Sequence, residues 1–181
     1  MKKTRRTSSI RLTATLAVFS AIGIVLGKLL AFNITEFMRF SLENLTIILA
    51  GILFGPICGA AVGIVQDLVG CLLVGYAINP IITLGCAATG CVAGIITRSA
   101  KERTSVPSVL LSVFGAHLIG SVIIKSAGLA LFYSLPFGVT IAWRTLNYIV
   151  VGTAESVILI SLSKSKQLLS FIKKGGVNND L

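Results

Sequence analysis

The sequence predicts an all-α integral membrane protein, a compact bundle of six transmembrane helices with both termini cytoplasmic. Three observations predict it. Hydrophobic types make up 55% of the 181 residues and the mean hydropathy is +0.95. Charged residues are only 12% of the chain, against ~25% in soluble globular proteins. The 16 Lys and Arg outnumber 6 Asp and Glu for a formal +10, yet most cations fall in three clusters separated by nearly uncharged stretches. This excludes a nucleic-acid binder, whose basic excess sits among many polar residues. The apolar content excludes disorder. Cys58, Cys71, Cys86 and Cys91 all lie within apolar runs, which argues against a secreted disulfide scaffold.

A spanning helix needs ~20 apolar residues. The six spans are read as about 10–31, 43–54, 56–75, 79–98, 106–132 and 140–163. The first comes after Lys2, Lys3, Arg5, Arg6 and Arg11. A signal peptide has the same basic start, but no small-residue cleavage site with a polar flank is present after it. The second span is the weakest, since its twelve residues reach only ~18 Å as a helix. It is expected to begin inside the polar segment Glu36–Glu43 or to dip in only partly. Gly55-Pro56 ends it, Pro suiting the first turn of the next helix. Gly75 to Pro80 reads as a loop, because a residue before Pro avoids helical angles. The fifth and sixth spans hold Lys125, Arg144 and Glu155 as their charged residues. An even number of crossings puts the N-terminal cluster, Arg98/Lys101/Arg103 and Lys164/Lys166/Lys173/Lys174 on one side, the cytoplasm by the positive-inside rule. The chain is one membrane domain: a basic N-terminus 1–9, a bundle 10–165 and a tail 166–181.

Small residues mark helix contacts inside a membrane. The third span carries Gly55, Gly59 and Gly63, with Asp67 continuing that face. The fourth has Gly90 and Gly94, the fifth Ser112, Ala116 and Gly120. The first carries two pairs on different faces, Ala17/Ala21 and Gly23/Gly27, so it can dock on two partners, one of them another subunit.

Ionisable groups at membrane depth are costly and default to functional hypotheses. On this topology Lys28, Glu36, Arg39, Glu43, Asn44, Asn79, Lys125, Arg144, Asn147 and Tyr148 fall in the outer half, with Asp67 near the middle. They suggest a cavity open to the outside and lined by both charges. Each has a structural alternative. Lys125 and Lys28 can snorkel to headgroups. Lys28 shares a stripe with Ala17 and Ala21, so it lines a pocket only if the helix turns its face near Gly27. Asp67 can bind ligand or lock helices, and Asn79 before Pro80 can cap a helix. His117 and Glu155, nearer the cytoplasm, read as hydrogen bonds within the bundle.

No phosphate-binding Gly-x4-Gly-Lys-Ser/Thr loop is present, nor a catalytic or metal-ligating motif, so neither cofactor nor metal is expected. The absence of internal duplication fits poorly with a self-sufficient secondary transporter. An oligomeric small-solute transporter or channel subunit stays open as an alternative.

The run Glu43-Asn44-Leu45-Thr46-Ile47-Ile48-Leu49-Ala50-Gly51-Ile52-Leu53-Phe54-Gly55-Pro56, then Gly59-Ala60-x2-Gly63-x3-Asp67-Leu68-x-Gly70, together with Ala17-x3-Ala21, resembles the substrate-binding S components of energy-coupling factor (ECF) vitamin transporters. The likeness is greatest to the folate type and covers about residues 10 to 165. The resemblance implies a non-catalytic bacterial plasma-membrane subunit that binds a vitamin from outside. It implies two kinds of partner, a transmembrane coupling subunit and two ATPases that hydrolyse ATP for it. The family's Ala-x3-Ala surface, here Ala17 and Ala21, would dock on the coupling subunit. By charge alone, Asp67, Glu43 or Asn79 would suit a pterin, and Arg39, Lys125 or Arg144 the carboxylates of folate, with Asn147 and Tyr148 beside them. Another vitamin or precursor is the alternative ligand.

Overall fold

Gly and Pro divide the chain into six helices, and the computed structural model describes residues 2–29, 31–33, 39–100 and 102–164. Helix α1 is Lys2–Ile24, and its last turn widens into a π-helical segment Val25–Leu29. The basic residues that precede the Ile10–Lys28 span belong to the same helix. A two-residue antiparallel ribbon comes next, β1 (Phe32–Asn33) pairing Phe32 with Phe40 and Asn33 with Arg39 of β2 (Arg39–Phe40). Then come α2 (Glu43–Phe54), α3 (Pro56–Val74) and α4 (Pro80–Ser99). Helix α5 runs Val106–Tyr133 with a π-helical stretch His117–Ile124 inside it, and α6 is Phe137–Ser163. The tail expected at 166–181 lies outside the described residues.

The breaks work as their residue types dictate. Gly55 has φ 91° and ψ 178°, a region open essentially only to glycine, so one residue joins α2 to α3. Pro56 then opens α3, where a missing N–H costs nothing. Gly75 closes α3 in the left-handed conformation with its N–H on the Cys71 carbonyl.

Five helices are long and apolar enough to cross a membrane: Ile10–Lys28 within α1, then α3, α4, α5 and α6. The sixth helix, α2, keeps the twelve residues Glu43–Phe54 read for the second span and is shorter than those five. Its polar start and the Gly55 break confine it. It is a central plug, burying Leu45, Ile47, Ile48, Ala50, Ile52 and Leu53. One face packs with Ala93, Val109, Val113, Ala116 and Leu159, the other with Val62 and Cys86. The outer faces of the long helices carry exposed Ile, Leu, Val and Phe instead, as lipid contact requires.

Glycines set the α2–α3–α4 spacing. A Cβ on Gly59 would stand 2.6 Å from the Gly90 carbonyl oxygen, and one on Gly51 would stand 2.5 Å from it. A Cβ on Gly63 would overlap the Cys86 carbonyl. On α1 the two small faces separate as the periodicity predicts. Gly23 packs on Gln66 and Thr46, and Gly27 on the Glu43 side chain. Ala17 and Ala21 stay exposed.

Candidate functional site

The end of α1, the start of α2, the second half of α3, the start of α4, the second half of α5 and the start of α6 meet at one end of the bundle. That end also carries the ribbon and the Gly75–Asn79 connection. At its centre is Lys125, the first residue after the π-helical stretch of α5 and only 4% exposed. Its Nζ donates to Asn44 Oδ1 at 3.3 Å. Cys86, Tyr148, Glu43 and Arg144 complete its electrostatic surroundings. Buried ammonium groups ordinarily sit against a carboxylate, and here the direct partner is a neutral amide.

Arg144, half-buried on α6, is held by neutral groups too. Its Nε donates to the Ser121 carbonyl at 2.9 Å and its Nη2 to Tyr148 Oη at 3.1 Å. The guanidinium lies 5.3 Å from the Tyr148 ring centroid. That ring also stacks on His117, with centroids 4.7 Å apart and planes at 27°. Below, His117 Nε2 and Glu155 Oε2 are 2.6 Å apart, both residues almost wholly buried. His117 Nδ1 reaches Ser121 Oγ at 3.4 Å. The bundle hydrogen bonds read for His117 and Glu155 are thus one bond, and it underlies the Tyr148–Arg144 arm.

The carboxylate side is formed by α3 and α2. Asp67 is buried; its Oδ2 accepts from Thr83 Oγ1 at 2.5 Å, and Cys71 Sγ lies 4.0 Å from Oδ1. Asp67 therefore ties α3 to α4 whatever else it does. Glu43 is half-buried, folded over Gly27. Asn79 caps α4, its Oδ1 accepting from the Ile81 and Ile82 amides at 3.0 and 3.4 Å. Its Nδ2 donates to the Gly128 carbonyl at 3.1 Å, binding α4 to α5. Most of its hydrogen-bonding capacity is used inside the fold. Asn147 is half-buried beside Tyr148. Arg39 enters the ribbon by its backbone, and its side chain lies outside the described atoms, as does Glu36.

Sequence reasoning missed Thr83, placed Asn44 in the outer half without giving it a role, and left Lys28 between snorkelling and the pocket. Asn44 is next to Glu43 in the first turn of α2, so an amide at the start of a buried helix was the available signal. Thr83 stands one turn after Asn79, which pairing with Asp67 could have suggested. Lys28 lies across α3 with Nζ 5.8 Å from the Tyr76 ring centroid. Among the described residues no carboxylate is in salt-bridge contact with Lys28, Lys125 or Arg144, and no cluster could hold a metal ion. The arrangement offers cations and hydrogen-bonding carboxylates to a small polar molecule.

Residues 11–170 match the family model described as the ECF transporter, substrate-specific component. A crystal structure of FolT bound with folic acid superposes with TM-score 0.69 at 24% identity, covering 83% of this chain and 91% of FolT. The S component of a bacterial ECF transporter superposes equally, TM-score 0.69 at 22% identity, covering 91% of this chain and 99% of that one. Among curated proteins, none matches the chain significantly.

Proposed function

The chain belongs to the family of substrate-specific components of ECF transporters, and from that premise we propose that it is the folate-binding subunit of an ATP-driven importer. As a member of the family it is a membrane-embedded, substrate-binding transporter subunit and not a catalyst. In this reading it binds its vitamin from the extracellular side with both termini cytoplasmic. It docks through Ala17 and Ala21 on a transmembrane coupling subunit, and two partner ATPases supply the energy.

One observation carries the ligand assignment. Lys125 and Arg144 are held by an amide, a carbonyl and a phenol, not by carboxylates. Charges at membrane depth are costly, and among the described residues no carboxylate forms a salt bridge with either cation, Glu43 acting on Lys125 only at longer range. A ligand carboxylate would supply that partner and form charge-assisted hydrogen bonds with both groups. Folate brings two carboxylates on its glutamate tail. Its pterin presents N–H donors suited to Asp67 and Glu43. FolT, the structural neighbour with folic acid bound, supports the same ligand. A second reading, an S component for another vitamin or precursor, is favoured by one feature. The Tyr148 ring is already engaged by both the His117 ring and the Arg144 guanidinium, which competes with stacking a pterin.

The deciding experiment is purification of the full chain in detergent and mass spectrometry of whatever small molecule stays bound. Folate in near-stoichiometric amount supports the proposal. A different vitamin in its place overturns the folate assignment.

A further inference from the structure

The π-helical turn at the end of α1 changes which face Lys28 occupies. On a regular helix, residues advance about 100° each, which would put Lys28 within ~20° of Ala17 and Ala21. Ala17, Ala21 and Val25 of that stripe are exposed. Lys28 is not with them. A π-helical turn fits an extra residue into the helix and so swings the residues beyond it by about 100°. With Val25–Leu29 wound this way, Gly27 is buried under Glu43 and Lys28 is half-buried across α3.

Helix α3 has a bed for this side chain. A Cβ on Gly70 would stand 2.6 Å from Lys28 Cε and 3.6 Å from Nζ, so only glycine leaves room for the stem. The ammonium ends 5.8 Å from the centroid of Tyr76, in the connection between α3 and α4. A snorkelling lysine needs only apolar surface for its stem and water for its head, not a glycine bed in a facing helix. This one lies over Gly70 of α3 with its ammonium toward Tyr76, and among the described residues no carboxylate makes a salt bridge with it.

We propose that Lys28 contacts substrate and determines specificity, as a third site cation that holds a second anionic group of the ligand, apart from the one held by Lys125 and Arg144. The inference rests on the carboxylate-binding reading above and adds to it that the ligand is a dianion. Lys28 would then separate a dicarboxylate such as folate from its monocarboxylate counterpart pteroate, which lacks the glutamate tail.

The test titrates full-length protein with folate and with pteroate, using the fluorescence of Trp143, the single tryptophan, which neighbours Arg144. Lys28→Met is expected to raise the folate Kd at least tenfold and to leave the pteroate Kd within twofold. Lys28→Arg should keep folate binding within threefold. Gly70→Ala, which displaces the lysine stem without removing its charge, should fall between. Equal folate affinity in wild type and Lys28→Met overturns the inference while the folate reading stands. Equal loss of both ligands also overturns it, since that marks a structural role. A wild type indifferent to folate overturns the folate reading and the Lys28 assignment with it.

Discussion

Replacing His117 with Leu removes the partner of a carboxylate that has no other. Glu155 is 0% exposed, His117 is 2%, and 2.6 Å separates Oε2 from Nε2. The second oxygen, Oε1, has no hydrogen-bond partner. Two magnitudes compete for the cost. Hydrogen bonds between membrane-embedded side chains average only ~0.6 kcal/mol and reach ~1.7 kcal/mol. Leaving a buried polar group without its hydrogen-bond partner costs about 1–3 kcal/mol. The structure favours the larger figure, because loss of the imidazole leaves both carboxylate oxygens unsatisfied at full burial. Loss of the His117–Tyr148 stack adds about 0.5–1.5 kcal/mol. The double variant His117→Leu/Glu155→Leu loses the same stack but leaves no stranded carboxylate, so it should cost only about 1–2 kcal/mol. The expected order is therefore unusual: the single substitution is worse than the double. Reversible unfolding in detergent micelles, monitored by Trp143 fluorescence, measures all three proteins. A His117→Leu cost below about 1 kcal/mol, or a double variant less stable than the single, would refute the reasoning.

Three further outcomes are expected. Ala17→Trp or Ala21→Trp should abolish co-purification with the coupling subunit and stop uptake, with ligand affinity within twofold of wild type; assembly that survives while binding falls would exclude the docking role. Gly90→Ala puts a methyl group against the Gly59 backbone and should destabilise by about 1–3 kcal/mol, whereas Gly138→Ala, with nothing within 4 Å of its new Cβ, should stay within ~0.5 kcal/mol in the same unfolding assay. Asn79→Ala removes a cap and the Gly128 contact, and should cost about 1–2 kcal/mol with ligand affinity preserved; affinity lost at unchanged stability would return Asn79 to the ligand.

The helix ends were legible because glycine and proline act locally. Gly55 needs a backbone conformation other residues avoid, and Pro56 and Pro80 open helices wherever they stand in a chain. The glycine contacts of α3 and α4 were legible for a related reason: a missing Cβ every four residues makes a groove before any partner is known. The two α1 faces come from the same periodicity. The site was only partly legible. Charge and helix direction placed Lys125, Arg144 and Glu43 toward one end and Asp67 near the middle, but the rotation of each side chain depends on contacts distant in sequence. Asn44 meets Lys125 across 81 positions, and Asn79 meets Gly128 across 49.

The sequence by itself determined a membrane protein, its breaks, the side on which its basic clusters are expected, and the small-residue faces by which its helices approach. These depend on composition and on spacing along a regular helix. Tertiary structure decided that the short α2 is buried at the centre of the bundle, where its neighbours supply the apolar surroundings that lipid gives the others. It also decided where the helices are not regular. The π-helical turns at Val25–Leu29 and His117–Ile124 keep hydrogen bonds only because packed neighbours hold the wider backbone. No local sequence preference marks them, yet one precedes Lys125 and the other turns Lys28 off the Ala17/Ala21 stripe and onto α3.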